Sequence, residues 1–233
     1  MKANHLFLYF LLLPLCSFAQ SKSTLDFIAG TSYTAVYKFD SYLAASGSLD
    51  YPGRFNFRLG VNYNRRLNRQ LWLKTGVRLV REGFKSSLIT DLRWGSENEG
   101  GQWVPDPALP REIQFYYDFV FIEVPLALRY EIGQKKFTPF IEAGVSPYIF
   151  TTYIQTTKTN LDKEVDFDRS AAMAKNFVLV GQFSLGLNYR LSERWTLFGQ
   201  SIARYHLTER AQEPAIGATN INIGLELGGR MAI

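Results

Sequence analysis

The stretch NINIGLELGGRMAI, residues 220–233, decides the fold class. Its odd positions are Ile221, Ile223, Leu225, Leu227, Gly229, Met231 and Ile233, and its even positions are Asn220, Asn222, Gly224, Glu226, Gly228 and Arg230. Alternation with a period of two places one set on each face of a β-strand. One face is apolar and the other is polar or glycine.

The same pattern recurs upstream. Phe177, Leu179, Phe183, Leu185, Leu187 and Tyr189 alternate with Asn176, Gln182, Ser184, Gly186, Asn188 and Arg190. Phe55, Phe57, Leu59, Val61 and Tyr63 alternate with Asn56, Arg58, Gly60, Asn62 and Asn64, and the row Val120, Ile122, Val124, Leu126, Leu128, Tyr130 faces away from Glu123 and Arg129. Eight such segments are expected, near 25–38, 54–65, 69–83, 114–131, 136–152, 175–191, 194–207 and 219–231, the first with the weakest pattern. Tight turns fall around Arg66-Leu67-Asn68, Gly133-Gln134-Lys135 and Ser192-Glu193, and the connections 39–53, 84–113, 153–174 and 208–218 are long. Long and short connections in strict alternation predict an all-β, eight-stranded, antiparallel up-and-down barrel. In a transmembrane barrel the short turns, and with an even strand number both chain ends, face the periplasm.

The first nineteen residues read as a signal peptide. Lys2 is followed by the apolar run Leu6–Leu15, and Ser17-Phe18-Ala19 supplies the small residues of a cleavage site. The run is shorter than the roughly 20 residues of a membrane-spanning helix. Cleavage is therefore expected after Ala19, leaving 20–233 as one barrel domain. Cys16 invites a lipoprotein reading, but Leu15 stands where a lipobox needs a small residue. Cys16 is the chain's only cysteine, so the barrel is expected without a disulfide framework. The formal charge of the whole chain, +5, is scattered and forms no basic run of the kind a nucleic-acid binder carries.

Alternation does not say which face points outward. A soluble, lipocalin-like barrel would turn the apolar face inward. Three features favour the membrane. Aromatics fall at both rims, with Tyr63, Trp72, Tyr130, Tyr189 and Trp195 near the short turns and Tyr37, Phe55, Phe115, Phe177 and Tyr205 near the long loops. The polar face is rich in Gly, Ser, Asn, Gln and Arg and poor in Lys, which suits a narrow lumen. A closed barrel also satisfies every backbone group inside hydrocarbon. Pro125, Pro139 and Pro147 oppose the reading, since each removes a ladder hydrogen bond, and bulges are expected there.

The run Ile122-Glu123-Val124-Pro125-Leu126-Ala127-Leu128, followed by Phe137-Thr138-Pro139-Phe140-Ile141-Glu142-Ala143-Gly144, resembles the central hairpin of the Bacteroidetes outer-membrane β-barrel families, including the PorT-like group. The resemblance covers the mature chain in strand layout, but only this hairpin is specific. It implies an outer-membrane location, tolerance of the prolines and a supporting role in protein secretion. Many such barrels end in an aromatic residue, whereas position 233 is Ile.

Glu123 and Glu142 should lie on neighbouring strands facing the lumen. They read either as an acid–base pair or as part of a charge network with Arg58, Arg78 and Arg129, and the polar parity of the last segment adds Glu226. The network is the stronger reading, because buried ions need partners. His206 with Ser201 would be the candidate pair of a lipid-modifying barrel enzyme, but their parities differ and no acid is evidently placed to orient the histidine. With His5 in the signal peptide, one histidine remains, too few for a metal site, and no glycine-rich phosphate loop precedes a helix. No cofactor is expected. The connection 84–113 holds Trp94, Glu97-Asn98-Glu99, Gly100-Gly101, Trp103 and three prolines, and reads equally as a partner-binding loop or an ordered cap. The expected function is that of a non-enzymatic outer-membrane barrel, surrounded by lipid and meeting protein partners through its loops or rims, in secretion or envelope organisation. The alternatives are a barrel-embedded lipid enzyme and a soluble ligand-binding barrel.

Overall fold

Hydrogen bonding, not side-chain pattern, closes the barrel. The computed structural model describes residues 23–39, 52–90, 92, 95–98, 100–106, 108–133, 135–161, 164–167, 176–208 and 218–233. The expected signal peptide and Trp94 lie outside them. The strands are β1 (Ser23–Phe39), β2 (Arg54–Arg66), β3 (Leu71–Lys85), β4 (Gly95–Glu97), β5 (Trp103–Pro105), β6 (Ile113–Glu123), β7 (Leu126–Glu131), β8 (Phe137–Thr159), β9 (Glu164–Phe167), β10 (Phe177–Arg190), β11 (Trp195–His206) and β12 (Ala218–Ala232). Every pairing is antiparallel, and the ring runs β1-β2-β3, then β6 and β7 as one interrupted stave, then β8-β10-β11-β12 and back to β1. These are eight staves, and no edge is left open in the ring.

The apolar parity faces outward. Phe55 is 73% exposed and Leu227 69%, while Asn222, Glu226 and Arg230 on the opposite parity are buried. This is the arrangement of a membrane barrel, and it overturns the lipocalin-like alternative, which would bury the apolar row. At the short-turn rim Tyr130 points outward and its hydroxyl donates to Gln70 Oε1 at 3.0 Å. Two rim assignments are corrected. Trp72 is only 8% exposed because its even position in β3 belongs to the lumen row with Lys74 and Arg78. Phe115 continues the inward row through Tyr117, their ring centroids 6.3 Å apart. Parity decides direction, so closeness to a turn does not make an aromatic a rim residue.

The prolines produce no bulges. Glu123 pairs with Tyr148 and Leu126 with Val145, so the register is continuous across the β6–β7 break at Val124-Pro125. Val124 N–H donates to the carbonyl of Pro147 at 3.0 Å, and Ile132 N–H to that of Pro139 at 2.8 Å. In an antiparallel ladder the N and O of one residue point to the same neighbour. The missing donors of Pro147 and Pro139 therefore face the strand break and the residue just past β7, where little ladder is lost. The irregularities fall elsewhere, between Val36 and Lys38 and between Val120 and Phe121.

Two expected long connections are partly strand. β6 and β8 remain paired from Phe121↔Phe150 out to Ile113↔Thr159, and β9 adds to β8 at Gln155↔Phe167 through Lys158↔Glu164. β10 meets β8 only from Ile149 downward, so this three-stranded blade projects beyond the ring on the long-loop side. Within 84–113, β4 and β5 form a separate small hairpin.

Candidate functional site

The lumen is the most densely built part of the molecule. Arg58, Lys74, Arg78, Arg129, Arg204 and Arg230 are buried in it together with Asp26, Glu82, Glu123, Glu142 and Glu226. All six lumen residues picked from the sequence thus face inward. Glu123 lies 3.2 Å from both Arg58 and Arg78. Glu142 lies 2.6 Å from Lys74 and 2.9 Å from Arg129. Glu226 pairs with Arg204 and sits 3.6 Å from Arg58. Asp26 holds Arg230 at 2.8 Å. Such chains of alternating charge offset the desolvation that each isolated ion would suffer.

Sequence reasoning missed Asp26, Lys74, Glu82, Arg204 and Arg230. Each stands on the lumen parity of its strand, so the parity rule itself was the available signal. For Asp26 that signal was faint, because β1 carries the weakest alternation.

Glycines make room for the remaining filling. Gly186 pairs with Phe140 and Gly228 with Phe198 across neighbouring strands. A Cβ on Gly228 would stand 2.4 Å from the Phe198 ring, and one on Gly186 2.3 Å from the Phe140 ring. The Arg129 guanidinium lies 4.2 Å from the Phe140 centroid and 5.3 Å from that of Phe198. Above the charges, toward the long-loop side, Val80, Phe84, Phe119, Phe121, Tyr148, Tyr153, Val178 and Val180 form an apolar cluster. Sequence reasoning expected a polar lumen throughout; this inward apolar row is a correction, carried by the valines and phenylalanines of β3, β6 and β10.

His206 is buried, with Nε2 3.0 Å from Glu82 Oε2. An acid therefore does meet the histidine, contrary to expectation. Asn222 Nδ2 donates to the same carboxylate at 3.1 Å, and the Tyr148 hydroxyl lies 3.4 Å from it. Ser201 is exposed on the outward parity, so it does not complete a nucleophile–base–acid arrangement with His206. Among the described residues no group of three His, Cys, Asp or Glu side chains is placed to hold a metal ion. Trp103 is 49% exposed at the start of β5.

No protein-family model matches this sequence, and neither does any curated protein. Among solved structures, the chain is similar to Neisserial surface protein A, with 12% identity over 90% of this chain and 96% of that one and a TM-score of 0.48. It is similar to the outer membrane protein OprG from Pseudomonas aeruginosa, with 9% identity over 92% and 97% and a TM-score of 0.47. It is also similar to the outer membrane protease OmpT from Escherichia coli, with 10% identity over 91% and 96% and a TM-score of 0.44. No role transfers to this chain from these likenesses.

Proposed function

We propose that this chain is a non-enzymatic outer-membrane barrel that acts through its ends, as an interaction or accessory component in protein secretion or envelope organisation. The carrying observation is the filled lumen: charges occupy its middle and an aromatic cluster its long-loop half. A barrel of eight staves has an interior just wide enough for side chains, so the working surfaces are the two mouths. The blade of β6, β8 and β9 and the β4–β5 hairpin with Trp103 are the surfaces presented outward. The likeness of the 122–144 hairpin to PorT-like barrels of Bacteroidetes supports the secretion side of this reading.

The test combines location with capture. The mature protein should fractionate with outer membranes and migrate faster unheated than boiled on a detergent gel. Crosslinking in intact cells should recover partners through Trp103-containing segments. Recovery as a soluble periplasmic species would overturn the location, and an unchanged partner set after removal of 95–105 would overturn the role of the hairpin.

A further inference from the structure

The opposite, short-turn mouth opens into a cavity of about 700 Å³ lined by strand ends and by the turn residues Lys135, Lys136, Glu193 and Arg194. That size lies within the range of about 300–1,000 Å³ typical of ligand sites. Six cationic side chains line it, namely Arg66, Lys135, Lys136, Arg190, Arg194 and Arg230, against the acidic Glu131 and Glu193. Arg230 belongs also to the lumen network, whose charges are matched almost one to one, and the other five cations are additional to that network.

Arg230 Nη1 and Asn188 Nδ2 each donate to Glu131 Oε1 at 2.9 Å. A carboxylate of the chain itself thus already sits on this donor set. The outer cations are uncommitted: among the described residues Lys135, Arg190 and Arg194 have no ion-pair partner, and Lys136 Nζ only overlies the Tyr189 ring at 5.2 Å. Like charges gathered on a concave, low-dielectric surface raise the local positive potential. Cations spread around a cavity of about 700 Å³ call for several anionic groups carried on one chain, which an acidic peptide segment supplies and a single small anion does not.

We propose that this vestibule binds an acidic peptide segment presented from the periplasm, its carboxylates on Arg190, Arg194, Lys135 and Lys136. A phospholipid headgroup does not fit the role, because its acyl chains lie outside the ring of strands while the cavity lies on the axis. The proposal rests on the orientation that puts the short turns in the periplasm and is independent of the outward loops.

Full-length mature barrel in detergent micelles is titrated with a fluorescent oligoglutamate peptide at low and at physiological salt. Saturable binding that weakens with salt is expected. Arg190→Glu combined with Arg194→Glu should weaken it on the order of ten-fold or more, as reversal of steering charges does. Lys158→Glu, on the blade at the far end, should leave it unchanged. Absence of saturable binding, equal affinity in the double variant, or an equal loss with Lys158→Glu would each overturn the site. Displacement of the peptide by inorganic phosphate at matched charge would overturn the peptide assignment. If the double variant does not refold, as judged by its heat-dependent gel shift, Lys135→Glu with Lys136→Glu makes the same test from the exposed turn.

Discussion

His206 on β11 and Glu82 on β3 are 124 positions apart in the chain and meet across the lumen at 3.0 Å. Their strands are not neighbours in the ring, so the contact is a strut between opposite walls. With Asn222 and Tyr148 also on Glu82, the histidine is one member of a structural cluster.

His206→Ala should therefore lower the temperature at which the compact gel band is lost, since it removes a buried hydrogen-bond partner at a cost of about 1–3 kcal/mol. Wild-type barrel should release no acyl groups from phospholipid. Acyl release or transfer that disappears in His206→Ala would establish the lipid-enzyme reading instead.

Glu123→Ala should be more damaging. It leaves Arg58 and Arg78 facing each other without the carboxylate that lies 3.2 Å from each. Breaking a buried pair from one side costs about 3–5 kcal/mol. Thermal unfolding followed by circular dichroism is the measurement, and an unshifted transition would mean that the arginines find other partners.

The packed interior predicts electrical silence. Planar bilayers containing the purified barrel should show no stable steps of porin size, because both the charge layers and the Phe119–Phe121–Tyr148 cluster block the axis. Regular large steps would require a lumen that empties.

Gly228→Val should destabilise by about 1–3 kcal/mol, through overpacking against the Phe198 ring that occupies its space. Its neighbour Gly229 is on the outward face, where an added Cβ meets only Trp195 at 3.7 Å, so Gly229→Val should be tolerated. Equal effects in the two variants, compared by heat-dependent gel shift, would contradict the rescue of that glycine by a lumen aromatic.

Trp103→Ala together with Trp94→Ala should leave assembly intact and weaken partner capture, since large rings at an interface commonly contribute on the order of 2 kcal/mol each. Unchanged capture would make the 84–113 connection a cap.

Legible from the residues alone were the class of fold, the eight staves, the short-turn positions and the face to which Arg58, Glu123 or Glu226 belongs. These follow from a period of two, which is a local property of each strand. Sequence reasoning did not separate Trp72 from the rim tyrosines, because closeness to a turn was weighed above parity. It also under-read the connections: β6 and β8 keep pairing as far as Ile113↔Thr159, a partnership set by the opposite strand and not by alternation within either. It grouped Glu123 and Glu142 with Arg58, Arg78 and Arg129, which do meet, but did not resolve the individual pairings or the contacts of His206 and Glu82. Arg78 and Glu123 are register partners on adjacent strands, but Arg58 reaches Glu123 past the intervening β3, and His206 reaches Glu82 across the interior. Those distances depend on closure of β8 onto β10 and on the stagger accumulated around the ring, which only the assembled barrel decides.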